Sequence, residues 1–166
     1  MINLRLLAAA PQQSIQLIFS PAMENAGLEG AAREVGDMRY FPAEKLVLFS
    51  LGVKEKISAE IVRRAGAAAA RWMKKNTILQ AGLDLNGLAA ISLESGSAVE
   101  ALLEGLLLGG YEFGLYKSDA DATEMEVALV APQPASYERL VEQVKVRCEA
   151  VNLARSWAHE PANVIN

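Results

Sequence analysis

"KLVLFSLG", residues 45–52, runs directly into "VKEKISAEIVRRAGAAAARWMKK", residues 53–75, and this stretch decides the fold. Its first part is a continuous apolar run closed by a glycine. A strand buried on both faces needs that pattern, because neither set of alternating side chains meets water. Its second part changes period. Ile57, Ile61, Val62, Ala65, Ala69, Trp72 and Met73 fall on one helical face. Ser58 can cap the N-terminus with Glu60 in the first turn, and Lys74 and Lys75 close the last one, where cations favour the helix dipole. The alanine run 67–70 is helix interior, where alanine is the best former.

The same alternation extends both ways. "LRLL" (4–7) and "IQLIF" (15–19) read as strands, the second ended by Ser20 and Pro21. "AGLEGAAREVG" (26–36) reads as a short, glycine-weakened helix, and "GLAAISL" (87–93) as another apolar strand. "SAVE" (97–100) has the capping-box pattern, opening a helix with Val99, Leu102, Leu103, Leu106 and Leu107 at core spacing. "EMEVALVA" (124–131) is a strand that stops at Pro132. The final helix is expected to begin near Ser136 and to bury Leu140, Val141, Val144, Cys148 and Val151. Strands alternating with helices predict an α/β domain with a mixed, mostly parallel sheet and helices on both faces.

Composition narrows the class. In 166 residues, a hydrophobic share of 52% against 22% charged can fill a core, which excludes disorder. A net charge of −4 disfavours binding to a phosphate backbone, and Arg71, Lys74 and Lys75 form the longest basic group, at a helix end. One cysteine allows no intrachain disulfide, which suits a reducing compartment. "MINLRLLAAAPQQ" has too short an apolar core for a signal peptide, and no run reaches membrane-span length. The expectation is a soluble, cytoplasmic protein.

Candidate chemistry is sparse. His159 is the only histidine and has no partner at a readable spacing; Cys148 falls on the apolar face of the last helix. Asp119 and Asp121, in the polar loop 117–124, lack the glycine and distal glutamate of a calcium loop. Gly52 and the pair Gly109 and Gly110 lack the spacing of a phosphate cradle. No catalytic, cofactor-binding or metal-ligating residue is assigned.

Three stretches in order carry a resemblance. "EGLLLGGYEFGLYKS" (104–118) resembles the "eG..LG.Y.Fd.YKs" segment of the leucine aminopeptidase (cytosol aminopeptidase) family. "ARSWAHEPANVIN" (154–166) resembles its "aRdLvN.PaN..tP" signature, matching at Arg155, Pro161 and Asn163 and departing at Ser156, Trp157 and His159. "KLVLFSLG" is similar to the family's "vlLvGLG" strand, with "RRAGAAAARW" (63–72) in place of its "ag.aa" helix.

The resemblance implies a macro-like, three-layer N-terminal domain over 1–134, with a connecting helix and the start of a catalytic domain over 135–166. The domain itself is expected to be non-catalytic and to serve subunit assembly and positioning. The parent is implied to be a homo-hexameric metallo-aminopeptidase releasing N-terminal amino acids from peptides. Its catalytic domain carries two divalent metals (zinc, manganese or magnesium), held by carboxylates, that activate a water and polarise the scissile carbonyl. None of those ligands maps onto these residues. The alternative is a free-standing macro-like module for a nucleotide or ADP-ribose, or an interaction protein.

Overall fold

The computed structural model describes residues 2–9, 11, 14–21, 34–85, 87–88, 91, 93, 95–112 and 124–160. The elements run β1 (Ile2–Leu7), β2 (Ile15–Ser20), β3 (Met38–Phe41), β4 (Leu46–Ser50), α1 (Ala59–Lys75), β5 (Gln80–Asp84), α2 (Ser95–Gly109), β6 (Met125–Val130) and α3 (Glu138–His159). Six strands form one sheet in the order β1-β6-β5-β2-β4-β3. Every pairing is parallel except that of the short edge strand β3 with β4. The α/β expectation and the mixed, mostly parallel sheet stand.

Register explains the core. Leu4 lies opposite Val127, Val127 opposite Ala81, Leu17 opposite both Leu83 and Val47, and Phe19 opposite Phe49. Period-two alternation therefore sends one set of side chains from all these strands to a single face. They join Val62, Ala65, Ala69 and Met73 of α1, Val99, Leu102, Leu103 and Leu106 of α2, and Val141, Val144 and Cys148 of α3 in one apolar cluster. On the other face Asn3, Arg5 and Ile18 are exposed, while Leu48 and Ala128 are buried. β4 is thus covered on both sides as its sequence demands, whereas "IQLIF" is covered fully on one side only.

α1 follows the expected grammar. The Ser58 hydroxyl accepts from the Ile61 N–H at 3.4 Å, and the helix ends on two nested bonds, Thr77 N–H to Lys74 O at 3.1 Å and Ile78 N–H to Met73 O at 2.8 Å. That is the Schellman pattern, which calls for a left-handed residue and normally a glycine. Thr77 fills it at φ 54°. A β-branched side chain there is strained by roughly 1 kcal/mol. Thr77→Gly is therefore expected to raise stability by about 1 kcal/mol in urea unfolding. An unchanged midpoint would mean that the hydroxyl or the stiffer unfolded chain compensates.

α2 is the central helix. It packs between α1 and α3 above the sheet, and Ala98, Val99, Ala101, Leu102, Leu103 and Leu106 are all essentially inaccessible. A helix that is apolar nearly all round belongs in such a place. Across the rim, Arg63 of α1 donates to Glu104 of α2 at 2.8 and 2.9 Å and to Glu60 at 2.6 Å. Arg147 of α3 pairs with Glu100 and, at 3.6 Å, with Glu104. Bonding to Glu104, then to Glu60, holds the Arg63 guanidinium more firmly protonated than usual; Glu100 does the same for Arg147. Such partly exposed pairs add register more than energy.

Several expectations need correction. The strand expected over 87–93 lies instead at Gln80–Asp84; Gly87 and Leu88 form a 3-10 turn, with Ile91 and Leu93 in bends. Leu88 and Ile91 are buried all the same, and a short apolar run marks burial without fixing its geometry. "QAGLD" has a weak strand signal because Gly82 stands where the Gln16 amide crosses; a Cβ there would come within 2.5 Å of Gln16 Oε1. The edge strand β3 is not read from the sequence at all.

α2 begins at Ser95, so the 97–100 capping box lies inside the helix, and Glu100 is used by Arg147. α3 starts at Glu138 after a 3-10 turn over Pro134–Tyr137. Its buried face runs only from Val141 to Cys148: Leu140 is half-buried and Val151 exposed. Of the helix expected over 26–36, Glu34 to Gly36 lie in a bend and turn. The rest of that helix, the loop 117–123 with Asp119 and Asp121, and Pro161 and Asn163 lie outside the described residues.

Candidate functional site at the end of α2

Two of the resembling segments meet in space. Gly109 and Gly110 end α2 against α1 and β1, where a Cβ would come within 2.5 Å of Ala67 Cα and 2.7 Å of Ile2 Cδ1 respectively. They are therefore spacers for close packing and not a phosphate cradle. Tyr111 follows, and across from it stands the second half of α3. The Arg155 guanidinium lies 5.7 Å from the Tyr111 ring centroid. Its Nη1 donates to Leu108 O at 3.0 Å and to Asn152 Oδ1 at 3.3 Å. The Ser156 hydroxyl lies 3.1 Å from the Tyr111 hydroxyl and bonds Asn152 O at 3.0 Å.

The physical reason for this cluster is the helix end. Leu108 O is one of the last carbonyls of α2, which lack partners within the helix and carry its negative pole. A guanidinium supplies both the missing donor and the opposite charge. The aromatic face below adds a cation–π contact. Beyond Cys148, no residue of α3 is buried. The helix is thus held to the body by apolar packing in its first half and by this polar clamp in its second.

Arg155→Ala is expected to cost about 1–2 kcal/mol, the scale of a charged hydrogen bond that is partly exposed. Hydrogen exchange should rise over 149–159 and stay unchanged in α1 and β4, with Arg155→Lys recovering part of the protection. Uniform exchange across the chain, or none gained in α3, would show that the clamp does not fix this half.

The other candidates resolve structurally. Cys148 is buried, and burial, then the nearby Glu104 carboxylate, pushes its thiol above the ordinary value of 9.0. A neutral buried thiol is a poor nucleophile. By linkage, its contribution to stability is complete below 9.0 and is lost as pH rises through the raised folded value. His159 is exposed in the last turn of α3. Lys74, at the end of α1, pairs with Glu112.

At the strand ends, Gly52 adopts φ 74° and a Cβ would meet Val35 Cγ2 at 2.7 Å, so it is a tight turn packed on its neighbour. Its N–H donates to the buried Ser50 Oγ at 3.1 Å. Among the described residues no three His, Cys, Asp or Glu side chains are grouped so as to hold a metal ion. The metals that the resemblance implies do not fit the donor sets seen here. No described helix is long and apolar enough to cross a membrane.

Sheet, helices and clamp together define an α/β domain whose polar residues hold helices in place. Residues 4–120 match the model of the N-terminal domain of the cytosol aminopeptidase family. The chain belongs to that family. A probable cytosol aminopeptidase of Geobacter sp. (strain M21) is 32% identical over 147 residues, covering 86% of this chain and 29% of that protein. One from Solibacter usitatus is 27% identical, covering 82% of this chain and 28% of its own length.

The fold is shared with a mutant of tomato leucine aminopeptidase, at a TM-score of 0.76 and 19% identity over 99% of this chain and 39% of that one. It is shared too with the bottromycin maturation enzyme BotP in complex with Mn, at 0.75 and 21% identity over 92% of this chain and 33% of that one. The chain spans under a third of the length of the curated relatives it matches.

Proposed function

We propose that this chain serves as the non-catalytic N-terminal domain of a cytoplasmic leucyl-type metallo-aminopeptidase, and that it works by assembly and positioning. In this reading 1–134 is the macro-like body and 135–166 the connection to the peptidase half. Two divalent metals and the peptide substrate belong to that other half, and neighbouring subunits of a homo-hexamer are its further partners. One observation carries the reading: Arg155, which the resemblance places in the family's signature, fixes the second half of α3 to the end of α2, and among the described residues no metal-holding cluster accompanies it. A clamp of that kind gives whatever follows α3 a defined direction. The acidic balance supports protein over nucleic-acid partners.

The test is direct. The 166-residue chain, incubated with leucine 4-nitroanilide and Mn²⁺, is expected to release no nitroaniline. Release that a chelator abolishes would place the chemistry inside this domain and overturn the reading. Calorimetric titration with ADP-ribose is expected to give no heat, and micromolar binding would replace positioning with ligand recognition.

A further inference from the structure

We draw no further inference here: the strongest candidate, the side-chain cluster at the C-terminal ends of β2 and β4, where the buried Ser20 hydroxyl has no hydrogen-bond partner among the described residues and lies in register beside Ser50, carries nothing because nothing in the structure shows what group would meet it.

Discussion

Replacing Gly105 by alanine is expected to lower the thermal midpoint by roughly 6–12 °C, a loss of about 3 kcal/mol in a domain of this size. Helix propensity alone predicts the reverse, since alanine is favoured over glycine by about 1 kcal/mol in a helix interior. Space decides it. A Cβ on Gly105 would stand 2.0 Å from the carbonyl oxygen of Arg63 and 3.0 Å from the Ala67 nitrogen, both main-chain atoms of α1. A flexible side chain could move aside, but a helix backbone cannot without shifting the whole element. Separating α1 from α2 would loosen the apolar cluster that Ala65 and Ala69 share with Leu102 and Leu106 and stretch the Arg63–Glu104 bridge.

Gly96, in the first turn of α2, has nothing within 4 Å of its notional Cβ. Gly96→Ala is the matched control and is expected to stabilise by about 0.5–1 kcal/mol. Differential scanning calorimetry of both variants gives the answer. Should Gly105→Ala also melt higher, the two helices cross more loosely than a 2.0 Å approach to Arg63 O requires.

Phe49→Ala is expected to cost about 3–5 kcal/mol, the range for deleting a fully buried aromatic ring. Phe49 is 1% exposed in the most enclosed strand. Its ring stacks on Phe19 with centroids 5.1 Å apart and meets Trp72 edge-on at 6.5 Å, while Trp72 also lies 5.8 Å from Tyr40. One side chain thereby links β2, β4, α1 and, through Trp72, the edge strand β3. Removing it leaves a cavity among groups held by backbone hydrogen bonds, which close only partly around the gap.

Urea unfolding followed by tryptophan fluorescence should show a lower midpoint with an unchanged slope, and Phe49→Leu should recover more than half of the loss. A cost below about 1 kcal/mol would mean that the cluster repacks freely, against the geometry described.

These two positions differ in how far the sequence reveals them. Phe49 stands in an unbroken apolar run, so its burial is legible from hydrophobicity alone. Gly105 stands in "ALLEGLLLGG", where it reads as a weak point in a helix, and its purpose depends on a carbonyl from a residue 42 positions earlier. Arg155 lies between them. The resemblance picks it out, but its acceptor on α2 and the ring beneath it become visible only when α3 is laid against α2. The misplaced strand has the same origin. "GLAAISL" is apolar because Leu88 and Ile91 plug the core beyond the sheet, whereas "QAGLD" owes its central place to the pairing of Ala81 with Ile15 and Val127.

The sequence by itself determined the α/β class, the limits of α1, the strands β1, β2, β4 and β6 and the family. Each of these rests on local periodicity, capping chemistry or motif order, which neighbouring residues specify together. Tertiary structure alone decided the strand order, the edge strand β3, the glycine-lined crossing of α1 and α2, and the clamp that makes Arg155 a structural residue. Each of those depends on groups distant in the chain approaching within a few ångströms, and a contact of that kind leaves no period in the sequence to read.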